Sequence, residues 1–289
     1  MSEPDPATVD REAGQCPVLV INLDRSPGRL AFQKSQAARL GLAFERVAAV
    51  DGALLAQAEY ERHAYRWHRP LSRSEVGCLL SHAACWRRVV ELGRNVVVIE
   101  DDLVLAQETA AFLREAGVLA GAVVVNLETR GRPRFISQEP VEMLGEQGLH
   151  VLYAAVAGSA AYLVTPLAAA RLLEKLPRKA ALADAFLWGR RGIRYLQADP
   201  ALGMPLDFLE DSGRAVEEAV STIRRPHLKL AEKLALALRH PLMRARRAAN
   251  QLKVGLTKLA MKGTALMSTV APTPSIFATY DALKGAGHG

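Results

Sequence analysis

Two runs in this chain are almost wholly apolar and β-branched: CPVLVINL at residues 16–23 and NVVVI at residues 95–99. A strand with one wet face alternates apolar and polar side chains, whereas a continuous apolar run has to be covered on both faces. Such strands belong in a sheet sandwiched between helices, and the surrounding sequence supplies the helices. Ser26-Pro27 suits the start of one, which runs to Leu40 and stops at Gly41. Ser72 and Glu75 form a capping-box pair, and Val76, Leu79, Leu80, Ala83 and Trp86 follow at helical spacing up to Gly93. Further strands are expected at residues 43–50, 123–127, 151–156, 160–165 and 193–198, with a helix opened by Pro166 and running to about Leu176. The alternation predicts a layered α/β sandwich with a mostly parallel central sheet.

The net charge of +7 is unevenly placed. Residues 224–262 hold eleven Lys or Arg and one acid, Glu232, a net of +10 that leaves −3 for the rest. The body therefore offers no basic cleft for nucleic acid. The basic segment carries an apolar stripe (Leu228, Leu230, Ala231, Leu234, Ala235, Leu238), a pattern that suits either the headgroup region of an anionic membrane or packing on the body with its charges solvated. Pro272, Pro274 and a Gly-rich end suggest disorder beyond it. The expected organisation is a flexible stretch at 1–15, a main domain at 16–225, a basic amphipathic helical tail at 226–267 and a disordered end at 268–289. The first 15 residues lack the pattern of a secretory signal, and no window is long and apolar enough to span a bilayer. Three cysteines with no CxxC pair fit a reducing compartment, so a cytoplasmic location is expected.

The strand at 95–99 delivers Glu100, Asp101 and Asp102 at its carboxyl end, where open α/β sheets bind ligands. An extended backbone there would put Glu100 and Asp102 on one face and Asp101 on the other. Paired carboxylates on one face suit Mg²⁺ or Mn²⁺, which prefer oxygen ligands and keep positions open for phosphate. A solvated acidic strand end is the plainer alternative. The string VVVIEDDLVL also looks like the acidic pocket of a response-regulator receiver domain. That reading fails because nearly 100 residues precede it and the later strand, VLYAAVAG, carries no Asp.

Several segments together carry a more specific likeness. VLVINLDRSPGR (18–29) resembles the opening strand and turn of glycosyltransferase family 25, an apolar strand followed by N-L-D/x-R-x-x-x-R. SEVGCLLSHAACW (74–86) is similar to that family's G-E-x-G-C-x-x-S-H-x-x-x-W helix, with Ser74 replacing the glycine. VVVIEDD (96–102) resembles its acidic motif, and GSAAYLVTPLAAARLL (158–173) its small-residue strand and following helix. The resemblance implies a GT-A-like fold and metal-dependent, inverting transfer of a hexose, galactose or glucose, from a UDP-sugar to a lipooligosaccharide core acceptor. It places the work at the cytoplasmic face of the inner membrane, with the basic segment peripheral on that surface.

Within that picture Glu100 and Asp102 hold Mn²⁺ or Mg²⁺, while Asn22, Arg25, Arg29, Ser81 and Asp101 surround the donor. Arg offers phosphate a fork of donors, although Arg29 alone reads first as helix decoration. His82 is an expected catalytic residue by the motif and a hydrogen-bonded core residue by its apolar helix. Asp184 corresponds to an aspartate of the family and is the expected general base, although the preceding proline is missing; the other reading is a helix N-cap. A catalytically silent relative acting as a membrane-associated scaffold is the second functional class.

Overall fold

The computed structural model describes residues 15–154, 158–188, 191–211 and 265–286. The strands are β1 Val18–Asn22, β2 Glu45–Ala48, β3 Val96–Glu100, β4 Leu103–Leu105, β5 Val123–Asn126, β6 Arg134–Ile136, β7 Glu142–Leu144, β8 Gln147–Ala154, β9 Ala161–Val164, β10 Arg194–Asp199, β11 Gly203–Pro205 and β12 Leu266–Ser268. The helices are α1 Pro27–Leu40, α2 Gln57–Ala64, α3 Arg73–Leu92, α4 Thr109–Glu115, α5 Pro166–Lys175, α6 Ala183–Leu187, α7 Leu206–Asp211 and α8 Ser275–Ala286.

One large sheet has the order β12-β6-β8-β10-β5-β9-β3-β1-β2, with β7 on β8, and a small ribbon pairs β11 with β4. The expectation of a mostly parallel sheet needs correction. β1 runs parallel to β2 and β3, and β10 parallel to β5, but β9 lies antiparallel between β3 and β5. Beyond β10 the pairings with β8, β6, β7 and β12 are all antiparallel. Of these antiparallel neighbours, β7 and β8 are joined by a tight hairpin, the short connection that antiparallel pairing allows.

The fully apolar strands behave as their composition requires. Val18 and Val20 of β1 face one core and Leu19 and Ile21 the other; β3 divides Val97 and Ile99 from Val96 and Val98 in the same way. Ala37 of α1, Phe112 of α4 and Ile276 of α8 cover the first face. Val76, Leu79 and Trp86 of α3, with Leu172 of α5, cover the second. The α3 helix starts at the expected capping box, in which the Ser72 hydroxyl accepts from Glu75 N and the Glu75 carboxylate accepts from Ser72 N. At α1, Pro27 and the left-handed Gly41 take their expected places, but the Ser26 side chain makes no cap.

The end of the chain overturns a second expectation. Where Pro272, Pro274 and glycines suggested disorder, α8 packs on the first core with Ile276 and Tyr280 buried, and β12, at the end of the stretch expected as a helical tail, pairs with β6. Proline here marks the approach to a helix, not the absence of one. The basic stretch 224–262 lies outside the described residues. Among the described residues no helix is long and apolar enough to cross a membrane.

Candidate active site

The carboxyl ends of β1, β3 and β5 open onto a cleft of about 170 Å³. Its lining includes Arg25, Arg29, Cys78, Ser81, His82, Glu100, Asp101, Asp102, Arg130 and Asp207. The α3 helix reaches this cleft because Gly77 lets it touch the loop after β2. A Cβ on Gly77 would lie 2.5 Å from the Val50 carbonyl oxygen and 2.8 Å from Gly52 N. That contact is tied by Ser81, whose hydroxyl accepts from Val50 N (2.8 Å) and donates to Gly77 O (2.8 Å). Ser81 thus fastens the wall of the cleft through backbone bonds.

The acidic triplet does not continue as an extended strand. β3 ends at Glu100, and Asp101-Asp102 turn the chain into β4, so strict alternation ends one residue earlier than expected. Asp101 faces back toward β1: Asn22 Nδ2 donates to its Oδ2 (2.7 Å) and Arg29 Nη1 to its Oδ1 (3.0 Å). Asn22 is itself fixed, since its Oδ1 accepts from Arg46 and its Nδ2 also reaches Ser26 O. Asn22 and Asp101, both expected to surround the donor, therefore engage each other. Arg29 rises from the first turn of α1 into the cleft, with Nη1 also 3.4 Å from Asp102 Oδ2. Arg25 lies at the rim and pairs with Asp51.

Among the cleft-lining carboxylates, Glu100 and Asp102 have capacity to spare. Glu100 Oε1 receives His82 Nε2 (3.2 Å) and Ser159 Oγ (2.9 Å). Burial alone would raise this carboxyl, yet the hydrogen bonds from His82 and Ser159, with the Arg130 charge, hold it below the ordinary value. Asp102 shows the opposite balance: burial first, and then the Glu100 charge, push it up to about 7 against the relief from Arg29. Its Oδ1 is buried without a hydrogen-bond partner among the described residues. An orphaned carboxylate oxygen beside a second carboxylate is a position that a hard divalent cation fits.

Cys78 Sγ, one His82 nitrogen and one Glu100 oxygen also lie within 4.8 Å of one another. The imidazole, however, already bonds Glu100 through Nε2 and the Tyr162 hydroxyl through Nδ1 (3.0 Å). The Cys78 thiol is driven well above its ordinary value, by burial and then by the Glu100, Asp184 and Asp102 charges. A protonated thiol is a poor ligand, so the oxygen pair Glu100 and Asp102 is the better seat.

Sequence reasoning missed Glu128 and Arg130. Glu128 lies just past the carboxyl end of β5, wholly buried, with Oε1 accepting from Ala160 N (2.9 Å) and Oε2 3.5 Å from Arg130 Nε. Burial, outweighing Arg130 and Arg134, raises it to about 7. Arg130 also donates to both oxygens of Asp207 (2.8 and 3.1 Å), and these acids hold its guanidinium charged. The strand-end rule that singled out Glu100 points at Glu128 equally. Asp184 is the second residue of α6, not its cap; it is half-buried, with Ala185 N on Oδ1 (2.6 Å) and Gly158 N on Oδ2 (3.3 Å). It is not among the cleft-lining residues.

A mixed α/β sheet with carboxylates and arginines gathered at its strand ends defines a ligand-binding protein of the layered α/β class. The chain belongs to glycosyltransferase family 25: the sequence model described as "Glycosyltransferase family 25 (LPS biosynthesis protein)" matches residues 15–187. It is 32% identical over 96 residues to a "Glycosyltransferase 25 family member" of Drosophila pseudoobscura pseudoobscura, covering 30% of this chain and 15% of that protein. It is 28% identical over 265 residues to the "Inactive glycosyltransferase 25 family member 3" of Mus musculus, 74% of this chain and 44% of that one. The "Lacto-N-neotetraose biosynthesis glycosyltransferase LgtB" of Neisseria gonorrhoeae is 29% identical over 150 residues, 47% of this chain and 54% of that one. The matched regions thus span little more than half of these relatives at most.

Proposed function

We propose that this protein is a metal-dependent, inverting hexosyltransferase with a GT-A-like fold, moving galactose or glucose from a UDP-sugar to a lipooligosaccharide-type saccharide. The observation that carries this reading is the buried Oδ1 of Asp102, unpartnered among the described residues, beside Glu100 at the mouth of β3. Glu100 and Asp102 would hold Mn²⁺ or Mg²⁺, which supplies positive charge for the departing diphosphate. Arg29 keeps Asp101 and Asp102 in place from α1, and Arg25 and Arg130 bring further positive charge to the same cleft. Asn22 fixes the Asp101 side of the turn, and Ser81 fixes the α3 wall.

Asp184 is the proposed general base. Two backbone N–H groups orient its carboxylate, leaving lone pairs for an acceptor hydroxyl. The basic segment 224–262 is proposed to bring the protein to an anionic membrane surface, where a lipid-linked acceptor resides.

A panel of UDP-sugars tests the reading: UDP release should require Mn²⁺ or Mg²⁺, stop with chelator and be lost in Asp102→Asn. Turnover unaffected by chelator would sink it. Asp184→Asn should bind donor but lose transfer, and normal transfer would remove the base assignment. For the membrane role, replacing the basic residues of 224–262 with Gln should abolish binding to anionic vesicles; unchanged binding would refute it. Likeness to a mouse relative called inactive over 74% of this chain supports a second reading, a silent scaffold. Metal-dependent UDP binding without any sugar transfer would favour that one.

A further inference from the structure

His82 Nδ1 lies 3.0 Å from the Tyr162 hydroxyl, and Trp86 Nε1 lies 2.9 Å from the same oxygen. Tyr162 is 0% exposed, as is Trp86, and His82 is 1% exposed, so bulk solvent does not reach these groups. An indole N–H only donates, so the Tyr162 oxygen is an acceptor toward Trp86. The phenol keeps its own proton, because burial moves its ionisation well above the ordinary value. That proton needs an acceptor, and among the described residues the partners of the hydroxyl are Trp86 and His82. Only Nδ1 of His82 accepts. The neutral imidazole therefore carries its proton on Nε2, which faces Glu100 Oε1 at 3.2 Å. The opposite tautomer would leave a buried phenolic proton unmatched and present a bare Nε2 lone pair to a carboxylate, two separate penalties.

With the tautomer set, Glu100 Oε1 receives two donors, His82 Nε2–H and Ser159 Oγ–H. Glu100 lines the cleft with its side chain 25% exposed. One oxygen is clamped from behind and the other is left for a ligand. We propose that Tyr162 is a positioning residue: it locks His82 as the Nε2–H tautomer, which together with Ser159 orients Glu100 to present its second oxygen to a divalent cation. The cation part of this inference rests on the functional reading above; the tautomer part rests on the hydrogen bonds alone. Outer partners that orient a ligand typically change metal affinity by about 10- to 100-fold when removed.

Full-length protein carrying ¹⁵N-labelled histidine, at pH 8, gives the direct test. Long-range ¹H–¹⁵N correlations identify the tautomer of the ring whose signals vanish in His82→Gln. The wild type should show Nε2–H, and Tyr162→Phe should lose that uniform state while its Mn²⁺ affinity, measured with UDP present, falls about 10-fold or more. Ser159→Ala should also weaken Mn²⁺ yet leave the His82 tautomer unchanged, which separates the clamp from the relay. An Nδ1–H tautomer in the wild type overturns the relay, even if Tyr162→Phe fails to fold. A folded Tyr162→Phe with unchanged tautomer and Mn²⁺ affinity overturns it as well. Absence of Mn²⁺ binding by the wild type overturns the functional reading and the cation-presenting role with it, while the tautomer result stands separately.

Discussion

Glu128 offers a quantitative test of how this site is built. Its carboxyl group is wholly buried and raised from 4.5 to about 7. At roughly 1.4 kcal/mol per pH unit, that rise is worth about 3 kcal/mol of preference for the neutral form in the folded protein. The sign follows from linkage: the folded state binds this proton more tightly than the unfolded chain does. The contribution is therefore fully present below pH 4.5 and is lost as the pH climbs through 7. Glu128→Gln mimics the neutral carboxyl, since an amide oxygen can still accept from Ala160 N and Arg130 keeps Asp207. Denaturant unfolding at pH 5 and pH 8 should show the variant close to wild type at pH 5. At pH 8 it should be more stable by about 1–3 kcal/mol, or about 2–4 °C in Tm per kcal/mol. A variant less stable than wild type at pH 8, or a gap independent of pH, would refute the reasoning. Catalysis should move the other way, falling if the buried charge serves the cleft, because strained sites trade stability for activity.

Two further perturbations probe the frame around the site. Gly77→Ala should lower stability by about 1–3 kcal/mol or more and loosen the cleft, because its Cβ would press on the Val50 carbonyl and Gly52 backbone; a wild-type denaturation midpoint would show that α3 does not need this close approach. Ile276→Ala should cost about 2–5 kcal/mol, since Ile276 is wholly buried in the core that includes β4; a change below 0.5 kcal/mol, on the order of a typical surface substitution, would mean that α8 does not dock as described.

How far the sequence revealed all this depended on how local each signal was. β1 and β3 were legible because a continuous apolar run permits little else, and α3 because its cap and its periodicity agree. The short strands β4, β6, β7, β11 and β12 have three residues each, too few for a period to register. The antiparallel insertion of β9 between β3 and β5 is a long-range choice that no local pattern encodes. At the site, Glu100 and Asp102 stood out because three acids end an apolar strand. The same logic applied to Glu128, but one acid amid Thr129 and Arg130 looked ordinary. Tyr162 sits inside the apolar strand β9 and reads as core; its meaning appears only when α3 brings His82 and Trp86 against its hydroxyl. The chain end was misread because Val270, Ile276 and Tyr280 are buried by partners far away in sequence.

The chemistry of the cleft turns on whether Glu100 and Asp102 seat a divalent cation. Electron paramagnetic resonance of free Mn²⁺, titrated with the protein and UDP, measures this without requiring turnover. The wild type should deplete the free-ion signal in a UDP-dependent manner, and Asp102→Asn should lose at least 10-fold in affinity while keeping a cooperative melt, consistent with loss of a direct ligand. Equal Mn²⁺ binding by Asp102→Asn and wild type, or no depletion by either, would contradict the account.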